Sequence, residues 1–164
     1  GTNFWQELNS TELSSSGDTL TTGATSAISK KYLMVQAVLM PTGGNIRTDI
    51  RLNNDSGSNY ARRRSNNGAS DSTAGSESSI DVYGDDNQIK VVDLFIINVA
   101  SKEKLVIGNI TMRNSEGAGN PPSRTEFVGK WANTSDLISR ISILNTGASG
   151  DYASGSYIKV WGAD

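Results

Sequence analysis

The feature that most constrains this chain is a two-residue alternation of apolar and polar side chains, repeated in short runs between turns rich in Gly, Asn and Ser. It is plainest near the C-terminus. Ile141 and Ile143 alternate with Arg140 and Ser142; Ile158 and Val160 alternate with Tyr157, Lys159 and Trp161. Successive side chains leave opposite sides of a pleated backbone, so each run reads as a strand with one buried face. The small-residue loop between them predicts that the two runs fold back on each other as a hairpin closing a sheet.

The same pattern recurs upstream. Residues 4–8 and 19–22 read as two weak strands about a turn at Gly17 and Asp18. Residues 31–40 are the strongest run, with Leu33, Val35, Ala37 and Leu39 on one face and Tyr32, Met34, Val38 and Met40 on the other, interrupted by Gln36. A strand that is apolar on both faces must be covered on both. Either a loop folds over the second face or another subunit meets it. That makes Tyr32, Met34, Val38 and Met40, with Tyr157 and Trp161, the candidate assembly surface. In residues 46–52, Ile46, Thr48, Ile50 and Leu52 point inward, and Arg47, Asp49 and Arg51 form an exposed ladder of alternating charge. Residues 60–65 predict a strand, and residues 66–79 a long mobile loop. Ile80, Val82 and Tyr83 make a short strand. Residues 91–99 read as a buried strand, in a hairpin with residues 105–112. Phe127, Val128 and Trp131 belong to a further strand. The sum is about ten short strands and no substantial helix, an all-β antiparallel sandwich occupying residues 1–164 as one domain. An apolar content of 35% suits two thin layers with polar loops.

Little of this sequence carries chemistry. It has no Cys and no His, which excludes a Ser-His-Asp triad, a Cys-His pair and a conventional zinc site. Its carboxylates lie in no recognisable motif, so no catalytic residue and no enzyme activity are expected. A net charge of −2 gives no reason to expect nucleic acid, and no apolar run approaches the ~20 residues of a membrane span. The chain opens on Gly1 rather than Met, as a processed product, a tag remnant or a piece of a longer chain does. Arg62, Arg63 and Arg64 stand out. On a strand, Arg62 and Arg64 share a face, where guanidinium forks suit carboxylates, phosphates or acidic sugars. The competing reading is a salt-bridged edge strand. With the adjacent loop residues Asp55 and Asn59, and with Tyr60, Arg62 and Arg64 form the candidate ligand site. Loop Asp and Asn residues are also the oxygen donors Ca²⁺ takes, although the spacing is not that of an EF-hand. No cofactor is otherwise expected.

Residues 30–65 (KKYLMVQAVLMPTGGNIRTDIRLNNDSGSNYARRRS), residues 117–145 and the ending GDYASGSYIKVWG carry a resemblance. They resemble a group of uncharacterised virion proteins of tailed phages and environmental viruses with a jelly-roll domain, of the tail-fibre-tip or capsid-decoration type. The resemblance covers about residues 5–162 and implies a jelly-roll-like β-sandwich. It further implies a structural protein of a bacteriophage virion or appendage, virion or extracellular in location. Such a protein associates with its own copies, a trimer being favoured, and with other virion proteins. Recognition of a host-surface glycan during attachment is the alternative. No catalytic residues belong to the pattern.

Overall fold

A computed structural model describes residues 4–164, with residues 83 and 84 described by their backbone alone, so the Tyr83 side chain lies outside the described residues. Among the described residues the chain forms fourteen strands: β1 (Gln6–Glu12), β2 (Thr19–Thr21), β3 (Tyr32–Leu39), β4 (Pro41–Thr42), β5 (Ile46–Leu52), β6 (Tyr60–Asn66), β7 (Ser72–Glu77), β8 (Ile80–Asp86), β9 (Lys90–Ile97), β10 (Lys104–Met112), β11 (Ser123–Trp131), β12 (Ile141–Leu144), β13 (Asp151–Tyr152) and β14 (Tyr157–Ala163). A single 3-10 turn, Ser26–Ile28, follows β2. An eight-stranded sheet runs β1-β14-β3-β9-β10-β11-β6-β7, a four-stranded sheet runs β2-β12-β5-β8, and β13 pairs with β4.

The connectivity is that of a rolled hairpin. Pairing is nested, β1 with β14, β2 with β12, β3 with β9 and β5 with β8, every pair antiparallel. β2 reaches β12 beside β5, and the nested pairs fall alternately in the large and the small sheet. A ribbon wound in this way is a jelly-roll sandwich, with two antiparallel sheets face to face. Two hairpins are added to it. β6–β7 leaves between β5 and β8, β10–β11 leaves between β9 and β12, and together they widen the large sheet from four strands to eight.

The inner faces are those the alternation marked. Leu33, Val35, Ala37 and Leu39 of β3 and Ile158 and Val160 of β14 are buried, as are Ile46, Ile50 and Leu52 of β5 and Ile141 and Ile143 of β12. Each such side chain contributes roughly 1.5–3 kcal/mol of transfer free energy. Beyond β9 the large sheet lies chiefly over β8, the edge strand of the small sheet. There Gly129 lets β11 lie against Ile80, since a Cβ at Gly129 would come within 2.9 Å of Ile80 Cδ1. The buried rings of Tyr60 and Trp131 stack 6.4 Å apart and fill the widened half.

Four expectations are corrected. β12 and β14 are not a hairpin: β12 lies between β2 and β5 in the small sheet, β14 between β1 and β3 in the large one. Alternation specifies which face a strand buries, not which strand it pairs with. Residues 66–79 are not all loop, because β7 pairs with β6 along Ser72–Glu77. Its side chains are mostly exposed, so it lacks an apolar pattern and rests on backbone hydrogen bonds. β9 is buried on one face only, Phe95 and Ile97 being 51% and 43% exposed. Asp49, placed on an exposed ladder, is 4% exposed.

Candidate assembly surface

The outer face of the large sheet is built from the residues that alternate with the core. On β3 these are Tyr32, Met34, Gln36 and Val38, and on β14 they are Tyr157, Lys159 and Trp161, all partly exposed. The two sets assigned to assembly therefore lie on one face, with Trp161 beside Met34 and Tyr157 beside Val38. Met40 falls just past the end of β3, where its N–H donates to Ser156 Oγ at 3.0 Å and its methyl lies over Gly155.

The hydrogen-bond register extends this face strand by strand. Trp161, Met34, Phe95, Ile107 and Val128 stand in one cross-strand row, from β14 to β11. Tyr32, Ile97 and Leu105 form a second row beside it. Leu105, Ile107 and Val128 are 55%, 60% and 48% exposed. Trp5, Tyr32, Phe95, Ile97, Leu105, Ile107 and Val128 wall a groove of about 630 Å³, and Met34 and Trp161 lie outside it. The exposed apolar area is on the order of 500 Å², at the upper end of the largest patch on ordinary monomers. The next row, with Lys159, Gln36, Asp93, Asn109 and Glu126, is polar throughout, so Val38 and Tyr157 are separated from the apolar rows. The exposed residues on β9, β10 and β11 were not singled out from the sequence. The signal was present in β10, where Leu105, Ile107, Asn109 and Thr111 alternate with buried Val106, Ile110 and Met112.

The candidate ligand residues sit elsewhere and are already engaged. Arg63 points to the outer face, 2.9 Å from Asp71, whereas Arg62 and Arg64 turn inward towards β8. Arg62 Nη2 is 3.4 Å from Asp81 Oδ2, and Arg64 Nη1 is 3.3 Å from Oδ1. Arg64 also donates to the Asp81 carbonyl at 3.4 Å, covering the free edge of the small sheet. Arg47 of β5 approaches the same carboxylate to 3.5 Å. The strand bearing the three arginines is thus not the edge, since β7 lies outside it. Asp49 stands across from Asp81. Burial pushes its carboxyl up to about 6; a hydrogen bond with Thr146 and the charge of Arg47 oppose this, and Asp81 adds to it.

Asp55 accepts from Trp131 Nε1 at 2.7 Å, from the Gly57 N–H at 2.8 Å and from Asn59 Nδ2 at 2.9 Å. Its burial alone would raise the carboxyl, but those hydrogen bonds and the charge of Arg51 outweigh it and hold the group below the ordinary carboxylate range. The Tyr60 hydroxyl accepts from the Leu52 N–H and lies within hydrogen-bond distance of the Leu52 and Asp55 carbonyls, at 3.0 and 3.1 Å. Burial pushes that phenol up to about 12. Asp55, Asn59 and Tyr60 thus join into a clasp around the 53–59 turn, in which Asn53 and Asn54 take left-handed φ values of 50° and 58°. Among the described residues no three acidic side chains converge as a cation site. The chain matches no protein-family model, no curated protein and no solved structure.

Proposed function

We propose that this chain is a non-enzymatic structural subunit of a viral particle or one of its appendages, assembling with copies of itself through the outer face of the large sheet. The observation that carries the reading is the pair of apolar rows centred on Phe95 and Ile97. Exposed apolar surface of this extent is costly in water and marks a contact surface. The viral setting, and an extracellular or virion location, rest on the resemblance of residues 5–162 to phage virion proteins. In this reading the polar turns at residues 53–59 and 114–122 face outward, other virion proteins are further partners, and no cofactor is needed. The alternative, a glycan-binding site at Arg62, Arg64, Asp55, Asn59 and Tyr60, is less well supported, because those groups are held by Asp81, Trp131 and Leu52.

Light scattering over a concentration series, with and without a calcium chelator, tests the assembly reading. Wild-type mass is expected to rise to a multiple of 17.4 kDa, unaffected by the chelator, with Ile107→Asp remaining at one chain. A wild-type protein of one chain at every concentration would refute it.

A further inference from the structure

We infer that the occupant of the apolar face is a second copy of this chain, related by a two-fold axis that lies between the two large sheets and runs parallel to the strands along β9. The inference rests on the assembly reading and adds its geometry. It follows from the order of side chains along the cross-strand rows, which reads as self-complementary about β9.

The first row is bracketed by charge. Glu7 of β1 stands beside Trp161 at one end, and Arg63 of β6 beside Val128 at the other. Phe95 is its middle position. A two-fold axis through Phe95 and parallel to the strands reverses the row. Glu7 then faces the partner's Arg63, Trp161 faces the partner's Val128, and Met34 faces the partner's Ile107. Phe95 meets its own counterpart. In the second row Ile97 is central, and Tyr32 faces the partner's Leu105. The polar row obeys the same reversal about Asp93: Lys159 faces the partner's Glu126, and Gln36 faces the partner's Asn109. Apolar groups meet apolar groups and opposite charges meet, as an isologous interface requires of a surface that contacts itself, while Lys130 at the end of the second row is set against the partner's Ala163 at the rim.

The competing two-fold, across the strands, also keeps the apolar rows in contact. It gathers Arg63 and Lys130 of one copy beside the partner's Arg63 and the partner's Lys130, and Glu7 beside the partner's Glu7, so like charges meet. The axis along β9 leaves one like-charge contact, Asp93 with the partner's Asp93, each of which accepts a hydrogen bond from its own Gln36 at 3.0 Å. Glu7, Arg63 and Glu126 have partners within the chain, Lys159 at 3.7 Å, Asp71 at 2.9 Å and Arg124 at 2.8 Å. All are solvent-exposed pairs, which hold weakly and leave acceptors and donors for a second contact. Seven strands at ~4.8 Å spacing and three rows ~7 Å apart cover roughly 600–700 Å², which with side-chain relief and rim approaches the ~800 Å² per partner of a standard interface.

Charge reversal on the full chain tests the geometry, read by sedimentation equilibrium with circular dichroism to verify folding. Arg63→Glu and Glu7→Arg are each expected to weaken dimerisation about tenfold or more. The double variant is expected to recover it, because the two reversed charges then face each other across the interface with opposite sign restored. Asp93→Asn is expected to tighten it. The chain has no cysteine, so Phe95→Cys offers one thiol per copy. A short bismaleimide should then link two copies in high yield, while Thr73→Cys, beyond the row's charged end, should not link. Additive weakening in the double variant, failure of the Phe95→Cys cross-link, or a wild-type mass of three chains would overturn the two-fold while leaving self-assembly standing. A wild-type protein that stays monomeric would overturn both.

Discussion

The two sides of the widened half of the large sheet, β10, β11 and β6, each depart from the usual order of a protein at one place. On the side turned towards β8, Arg62 and Arg64 close on Asp81 with side chains only 8% and 18% exposed. On the side turned to solvent, Leu105, Ile107 and Val128 stand about half exposed. Charge is enclosed beside the apolar side chains of the inner face, and hydrocarbon is left open on the outer one. The difference lies in what each side lacks. Inside, the small sheet stops at β8, and an unpaired strand edge needs donors that an apolar side chain cannot supply; Arg64 provides one, and it shares the Asp81 carboxylate with Arg62 as counter-charge. Outside, no element among the described residues completes the layer over the apolar rows. Buried charge here belongs to the fold, and exposed hydrocarbon, in the proposed reading, to assembly.

That contrast can be broken at its hub. Asp81→Ala strands Arg62 and Arg64 with no counter-charge in a mostly desolvated site, and should destabilise the fold by about 2–3 kcal/mol, less than the ~3–5 of a fully buried pair because Asp81 retains some solvent. Chemical denaturation measures it, and an unchanged midpoint would mean that the arginines are free to reach water.

Asp49 sharpens the same point through pH. Its carboxyl holds a proton to about pH 6 in the folded chain, against an ordinary value of 3.8. Between those values the folded state binds more protons than the unfolded one, so this group's contribution falls as pH rises from about 4 to about 6. Asp49→Asn should remove that fall and raise stability at pH 7 by about 2 kcal/mol, with urea titrations at pH 4 and pH 7 as the readout. Trp131→Phe keeps the ring stack on Tyr60 but removes the indole donor to Asp55, and should cost about 1–2 kcal/mol in the same assay. The smallest effect belongs to the outer face: Phe95→Ser should alter monomer stability, measured in dilute solution, by no more than about 0.5 kcal/mol. A large loss there would make Phe95 part of the fold rather than of an interface.

Much of the sandwich was legible because burial and strand period are local. Leu33 to Leu39 and Ile158 to Val160 declare their inner faces within a few residues. Pairing was legible where a short turn joins neighbours, as in the β9–β10 hairpin expected for residues 91–99 and 105–112. It was not legible at long range, since β12 and β14 carry the same pattern yet join different sheets, and nothing within either strand names its neighbour. β7 was invisible because its residues are small and polar and its order comes from β6. The face bearing Tyr32, Met34 and Trp161 could be read from double-sided apolar strands. Its extension through Phe95 to Val128 could not, because it requires knowing that β9 has no layer over its second side. The role of the arginines turned on Asp81, which lies 17 and 19 residues further along the chain, in the other sheet.

Hydroxyl-radical footprinting over a concentration series tests the central claim most directly, because it reports the solvent exposure of individual side chains. Oxidation of Met34 and Phe95 is expected to fall as concentration rises, while Tyr157 and Val38, beyond the polar row on the same face, change much less. Equal oxidation of Met34 and Phe95 at all concentrations would contradict the account.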